Sequence, residues 1–122
     1  MEKLTTKEEE IMQILWEIDK GFVKDIIEKL PLPKPAYTTI SSIVRILETK
    51  GFVDHTAYGT THQYFPLVAK DEYKKLTFQF ILKNYFDNSI KNVVSYLAKE
   101  EKLSNEEIME ISEIIKAGRK KK

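Results

Sequence analysis

The spacing of apolar residues changes at Gly51, and that change limits what the chain can fold into. Before it, Ile11, Ile14, Leu15 and Ile18 recur at i, i+3, i+4 and i+7. Val23, Ile26, Ile27 and Leu30 repeat the pattern, and Ile40, Ile43, Val44 and Leu47 repeat it again. Each set lines one face of a helix. After Gly51, Phe52 to Ala57 and His62 to Pro66 are rich in β-branched and aromatic residues, with Tyr58-Gly59-Thr60-Thr61 between them. That composition predicts a β-hairpin with a short loop. Helix, helix, helix, hairpin is the order of a winged helix-turn-helix, in which the second and third helices form the helix-turn-helix and the hairpin is the wing.

Local signals set the boundaries. Thr5 or Thr6 caps the first helix, with Glu8 or Glu9 completing a capping box, and Gly21 is expected to stop it. Pro31, Pro33 and Pro35 separate the second helix from the third, because proline disfavours helix at the residue before it. The third helix starts near Tyr37 or Thr38, runs to about Lys50 and ends at Gly51. Trp16 reads as a packing residue.

Beyond Pro66 the chain is helical again. Tyr73 to Phe86 carries two apolar stripes, Tyr73/Leu76/Phe80 and Phe78/Ile81/Leu82/Tyr85, and is apolar almost all round. Ile90, Val93, Val94 and Leu97 form one stripe. Ser104 to Glu107 is a capping box flanked by Leu103 and Ile108, and Ile108, Ile111 and Ile115 are expected to face inward before a solvated basic tail, Arg119 to Lys122. A helix apolar on nearly every side is hard to bury within one short chain. The expectation is a homodimer, with Phe78, Phe80, Ile81, Tyr85, Val94 and Leu97 at its interface. The predicted fold is mainly α with a small β-hairpin wing, a winged-helix domain over residues 1–68 and a helical dimerisation domain over residues 69–122.

Composition excludes much chemistry. The absence of cysteine removes disulfides, thiolate metal sites and cysteine nucleophiles. His55 and His62 are the only histidines, and with no third ligand close to them in sequence they read as wing residues, so no metal and no cofactor is expected. The four glycines are not clustered into a phosphate-cradling loop, and no serine sits in a nucleophile elbow. The chain is not expected to be an enzyme or to take a small-molecule substrate. No apolar run approaches the roughly 18 residues of a membrane span, and the start is too acidic for a signal peptide. The expected location is cytoplasmic, without membrane insertion.

The outer face of the third helix is different in kind. Thr38, Ser41, Ser42 and Arg45 recur at i, i+3, i+4 and i+7 opposite the apolar stripe. Hydroxyls can donate or accept at base edges, and an arginine can contact guanine through two hydrogen bonds. With Thr39 and Lys50 on the helix, and His62 and Tyr64 on the wing, these residues form a candidate surface for double-stranded DNA; Lys34 and Lys50 would meet phosphates. Bulk charge gives this reading no help. The formal net charge is +1, and residues 1–66 hold 8 Lys and Arg against 10 Asp and Glu. The competing reading is therefore a winged-helix protein-interaction module that never touches DNA.

The chain resembles the penicillinase repressors along most of its length. The resemblance runs through Leu4-Thr5, Glu8 to Trp16, Tyr37-Thr38-Thr39-Ile40, Leu47 to Val53, Tyr64 and Pro66, and the cap from Ser104 to Glu107. It implies a DNA-binding transcriptional repressor that dimerises through its C-terminal helices and binds a palindromic operator of β-lactamase, antibiotic-resistance or related genes. Two departures stand out. Ile46 occupies the position before Leu47 where the family usually has arginine, and Arg45 lies one step earlier. Where β-lactamase repressors are cut at an Asn-Phe bond on induction, by a route that involves a membrane sensor protease, this chain has Ser95-Tyr96-Leu97.

Overall fold

The computed structural model describes residues 3–100 and 103–120, which fall into two compact units divided between Thr77 and Phe78. The elements are α1 (Thr6–Ile18), α2 (Val23–Glu28), α3 (Tyr37–Thr49), β1 (Val53–Tyr58), β2 (Thr61–Pro66), α4 (Lys70–Tyr85), α5 (Ile90–Glu100) and α6 (Asn105–Lys120). The predicted winged helix and C-terminal helices are present.

In the first unit, the Thr5 hydroxyl accepts from the Glu8 amide at 3.2 Å, and the Thr5 amide donates to Glu8 Oε1 at 2.9 Å. The capping box is therefore the Thr5–Glu8 pair. Glu8 is buried, and Lys50 Nζ reaches it from the far end of α3 at 2.7 Å. Burial alone raises the Glu8 carboxyl pKa, but the bonds from Lys50 and Thr5 outweigh it and hold the group below its ordinary value.

Gly21 does not stop α1 as expected. Asp19 ends it, in the left-handed region at φ 74°, with its amide donating to the Leu15 carbonyl at 2.8 Å. Gly21 instead forms a two-way bridge with Tyr64, at 2.9 and 2.8 Å. A Cβ there would lie 2.7 Å from the terminal Ile18 Cδ1 atom and 3.3 Å from the Asp25 Cβ, so a larger residue would require the Ile18 side chain to shift.

At the end of α3 the Gly51 amide donates to Glu48 and the Phe52 amide to Leu47, at 3.0 and 2.9 Å. Gly51 has φ 85°, and Phe52 and Leu47 are both fully buried. This is a Schellman cap with its hydrophobic contact. The hairpin follows at once. Tyr58 pairs with Thr61, so the turn is only Gly59-Thr60, two residues shorter than expected, with glycine at the position a type II′ turn requires.

The core takes Ile11, Met12 and Leu15 from α1, Ile26 from α2, Val44 and Leu47 from α3, and Phe52, Val53 and Tyr64 from the wing. Trp16 packs against it as expected, with Nε1 donating to the Val68 carbonyl at 2.8 Å. The Tyr73 ring lies 5.7 Å from both Trp16 and Phe52.

The second unit differs. Between residues 78 and 118 no described side chain is buried. The Ser104–Glu107 capping box forms, with both bonds at 3.1 Å. Of the three residues expected to face inward, Ile108 and Ile115 are about half exposed and Ile111 is half-buried, because among the described residues no buried apolar layer lies against α6. Of the basic tail, Arg119 and Lys120 continue α6, and Lys121 and Lys122 lie outside the described residues.

Two outcomes follow for the first unit. The stabilising contribution of Glu8 is complete above the ordinary carboxylate range and is lost as pH falls through its lower folded value. Glu8→Gln should cost about 1–3 kcal/mol at neutral pH and flatten the acid-side decline in stability, read by denaturant melts across pH. Tyr64→Phe should cost about 1 kcal/mol and Tyr64→Ala about 3–5 kcal/mol, as for a packed ring; equal costs would place the ring outside the core.

Candidate nucleic-acid interface

The inner stripe of α3 is anchored by Ile40, Val44 and Leu47, all buried, which turns the opposite stripe to solvent. Thr38, Thr39, Ser42 and Arg45 are exposed and Ser41 is half-buried. The Ser42 hydroxyl donates to the Thr38 carbonyl at 2.9 Å, leaving its oxygen free to accept. The result is an open helix face of short hydroxyls with one guanidinium near its C-terminal end. Such a face fits a major groove, which is wide enough for a helix and carries distinct donor and acceptor patterns.

The lysines are placed otherwise than expected. Lys50 is half-buried and paired with Glu8. Lys34 Nζ donates to the carbonyls of Glu28 and Leu30 at the end of α2. Lys50 is thus tied back into the head, while Lys34 keeps its exposure.

Tyr64 needs a correction. It is 3% exposed and belongs to the core, held by the Gly21 bridge. Its hydroxyl interacts with Arg45. Burial, then the nearby Glu48 carboxylate, push the phenol pKa up, and Arg45 partly opposes them. Tyr64 can orient Arg45 from beneath but cannot present itself to DNA. His62 is half-buried and lies flat on His55, with ring centroids 4.0 Å apart and planes 4° apart.

The hairpin register explains this grouping. His55 pairs with Tyr64 and Ala57 with His62, so these side chains share one face of the wing. That face meets α3 in a shallow groove lined by Arg45, Glu48, Thr49, His55, His62 and Tyr64. Glu48, Thr49 and His55 are the members that sequence reasoning missed. His55 Nδ1 is 2.9 Å from Glu48 Oε1. A fixed turn length would have revealed their meeting, because it sets which wing residues face the helix. A second exposed set surrounds Tyr37, beside Lys24, Phe22 and Thr61.

The six residues expected at a dimer interface, Phe78, Phe80, Ile81, Tyr85, Val94 and Leu97, are all exposed, from 36% at Leu97 to 73% at Tyr85. On α6, Ile108, Met109, Ile114 and Ile115 are exposed as well, and the sequence reading had not placed them in that set. Ser95, Tyr96 and Leu97 lie inside the continuous helix α5, where the Tyr96 ring meets Phe86 edge-on at 5.7 Å.

Comparison with known proteins agrees with this architecture. The chain is 26% identical over 114 residues to the methicillin resistance regulatory protein MecI of Staphylococcus aureus strain N315, covering 93% of each chain. It is 25% identical over 114 residues to the protein of that name from Mammaliicoccus sciuri, again covering 93% of each. With the penicillinase repressor of Bacillus licheniformis it shares 22% identity over 121 residues, 98% of this chain and 94% of that one. The sequence pattern of the penicillinase repressors matches residues 4–117. This chain belongs to the penicillinase repressor family.

Proposed function

We infer that the protein is a transcriptional repressor that binds duplex DNA as a homodimer, on an inverted-repeat operator controlling resistance or related genes. The observation that carries this reading is the open stripe of α3, with Thr38, Ser42 and Arg45 exposed above a helix-turn-helix and wing. Family membership and the names of the relatives support it. Nothing in this role requires catalysis. In the major groove, Thr38, Thr39, Ser41 and Ser42 meet base edges and Arg45 takes a guanine.

The exposed apolar stripes of α4, α5 and α6 support pairing with a second copy. A two-fold pair presents two α3 helices and selects half-sites about one helical turn apart. Release from the operator would follow from damage to that pairing. A sensor protease cutting between Ser95 and Leu97 severs α5, and the two heads then lose the advantage of acting as one molecule. Mapping fragments by mass after incubation with the cognate protease tests this; an intact chain sets it aside.

The second reading, a protein-interaction module, is favoured by the net negative charge of residues 1–66. Salt separates the two, because duplex binding weakens steeply as salt rises.

Arg45→Ala should weaken binding to the selected operator by about 1–3 kcal/mol and relax specificity at one base pair. Lys50→Met should lower stability yet leave the salt slope of DNA binding unchanged, since its ammonium is committed to Glu8. Titration of labelled duplexes at several salt concentrations checks both. Val94→Glu should shift the protein from dimer to monomer in sedimentation and reduce operator affinity by roughly 10²–10⁴-fold.

A further inference from the structure

Glu48 lies in the last turn of α3, and Asp54 and His55 lie at the start of β1. The Schellman turn at Gly51 folds these segments back on each other. One ligand atom from each residue, two carboxylate oxygens and one imidazole nitrogen, lies within 4.8 Å of the other two. His55 Nδ1 is 2.9 Å from Glu48 Oε1, and the His55 amide donates to Asp54 Oδ1 at 2.8 Å, which holds that carboxylate beside the ring. His62, stacked flat on His55, restrains the plane of the imidazole.

A cation held at about 2.0–2.1 Å by N and O ligands in a tetrahedral site keeps those atoms about 3.3 Å apart. The three atoms lie within 4.8 Å of one another, so small side-chain rotations suffice to close them around an ion. His55 Nδ1 and Glu48 Oε1 are joined by a hydrogen bond, which a cation bound between them would replace. One imidazole with two carboxylates suits zinc and the late first-row divalent ions, whereas magnesium and calcium prefer oxygen alone. All three residues keep some exposure, so an ion can enter and water can complete its shell.

We propose that Glu48, Asp54 and His55 bind one zinc-class divalent cation per chain at the junction of α3 and the wing. The ion clamps the end of α3 to β1, in the groove that Arg45 also lines. His62 orients the His55 ring and is not a ligand, because two parallel stacked imidazoles do not point their nitrogens at one ion.

Cobalt(II) is the probe, added to the untagged, metal-stripped full chain. The expected result is a visible ligand-field absorption band that saturates at one ion per chain and is displaced by zinc but not by magnesium. Glu48→Gln, Asp54→Asn and His55→Gln should each weaken binding at least tenfold. Glu106→Gln, on α6, should leave it unchanged, and His62→Ala should keep the one-ion stoichiometry. Zinc should raise the melting temperature of the native sequence and not that of Glu48→Gln, a near-isosteric change whose fold circular dichroism verifies. Absence of saturable binding, or binding indifferent to Glu48→Gln and His55→Gln, overturns the proposal. Loss of stoichiometry in His62→Ala overturns this ligand set. None of these measurements uses DNA, so their outcome is independent of the repressor reading.

Discussion

The amide of Phe52 donates to the carbonyl of Leu47 across Gly51, and both side chains are fully buried. The Phe52 carbonyl in turn accepts from Leu67 at 2.8 Å, so the chain leaving the wing returns to the residue at which it entered. The helix that offers its outer face and the hairpin beside it therefore share one anchor. No slack separates them, since β1 begins one residue after Phe52. A Cβ at Gly51 would meet no neighbour, but its φ of 85° is one that other residues adopt only with strain. Backbone conformation rather than space requires glycine there, whereas at Gly21 a Cβ would meet the Ile18 side chain.

One ion pair in the first unit is turned inward. Lys50 compensates the buried Glu8, linking the start of α1 to the end of α3, and Lys34 completes hydrogen bonding at the end of α2. A buried carboxylate left without its ammonium would be costly, so the pair restricts how these helices can be arranged more than it adds net stability. On the repressor reading, Lys50 is committed to Glu8, and exposed lysines such as Lys20 and Lys24 remain to release counterions from DNA. Sequence discrimination on that reading lies with the hydroxyls of α3 and with Arg45, which lines the same groove as Tyr64 and Glu48.

Much of this was legible in the sequence because the signals were local and periodic. The apolar stripes of α1, α2 and α3, the Thr5–Glu8 and Ser104–Glu107 boxes and the Gly51 stop each involve residues within a few positions of one another. The failures were matters of register and partnership. Tyr64 and His62 alternate correctly for a strand, but alternation alone does not say which face meets α3. A loop read as four residues left that undecided, whereas the two-residue turn places His55, His62 and Tyr64 together against the helix. Lys50 and Glu8 are 42 positions apart, beyond the reach of any spacing rule. The third neighbour of His55 was missed for a similar reason, because Glu48 reaches it only across the cap of α3. Ile108 and Ile115 have a correct stripe, but a stripe does not reveal whether its cover comes from the same chain.

The lack of buried side chains among the described residues from 78 to 118 divides the molecule by the origin of its order. Amide protection in the first unit is set by a core present in every copy. In α5 and α6, helices of 11 and 16 residues stand at the length where isolated helices are marginal in water. Their persistence is therefore borrowed from whatever covers their apolar stripes. A newly made copy would carry a finished head while its remaining helices open and close on a far shorter timescale. On the homodimer reading, the lifetime of that second half against cellular degradation would then depend on abundance, a property that no single copy possesses.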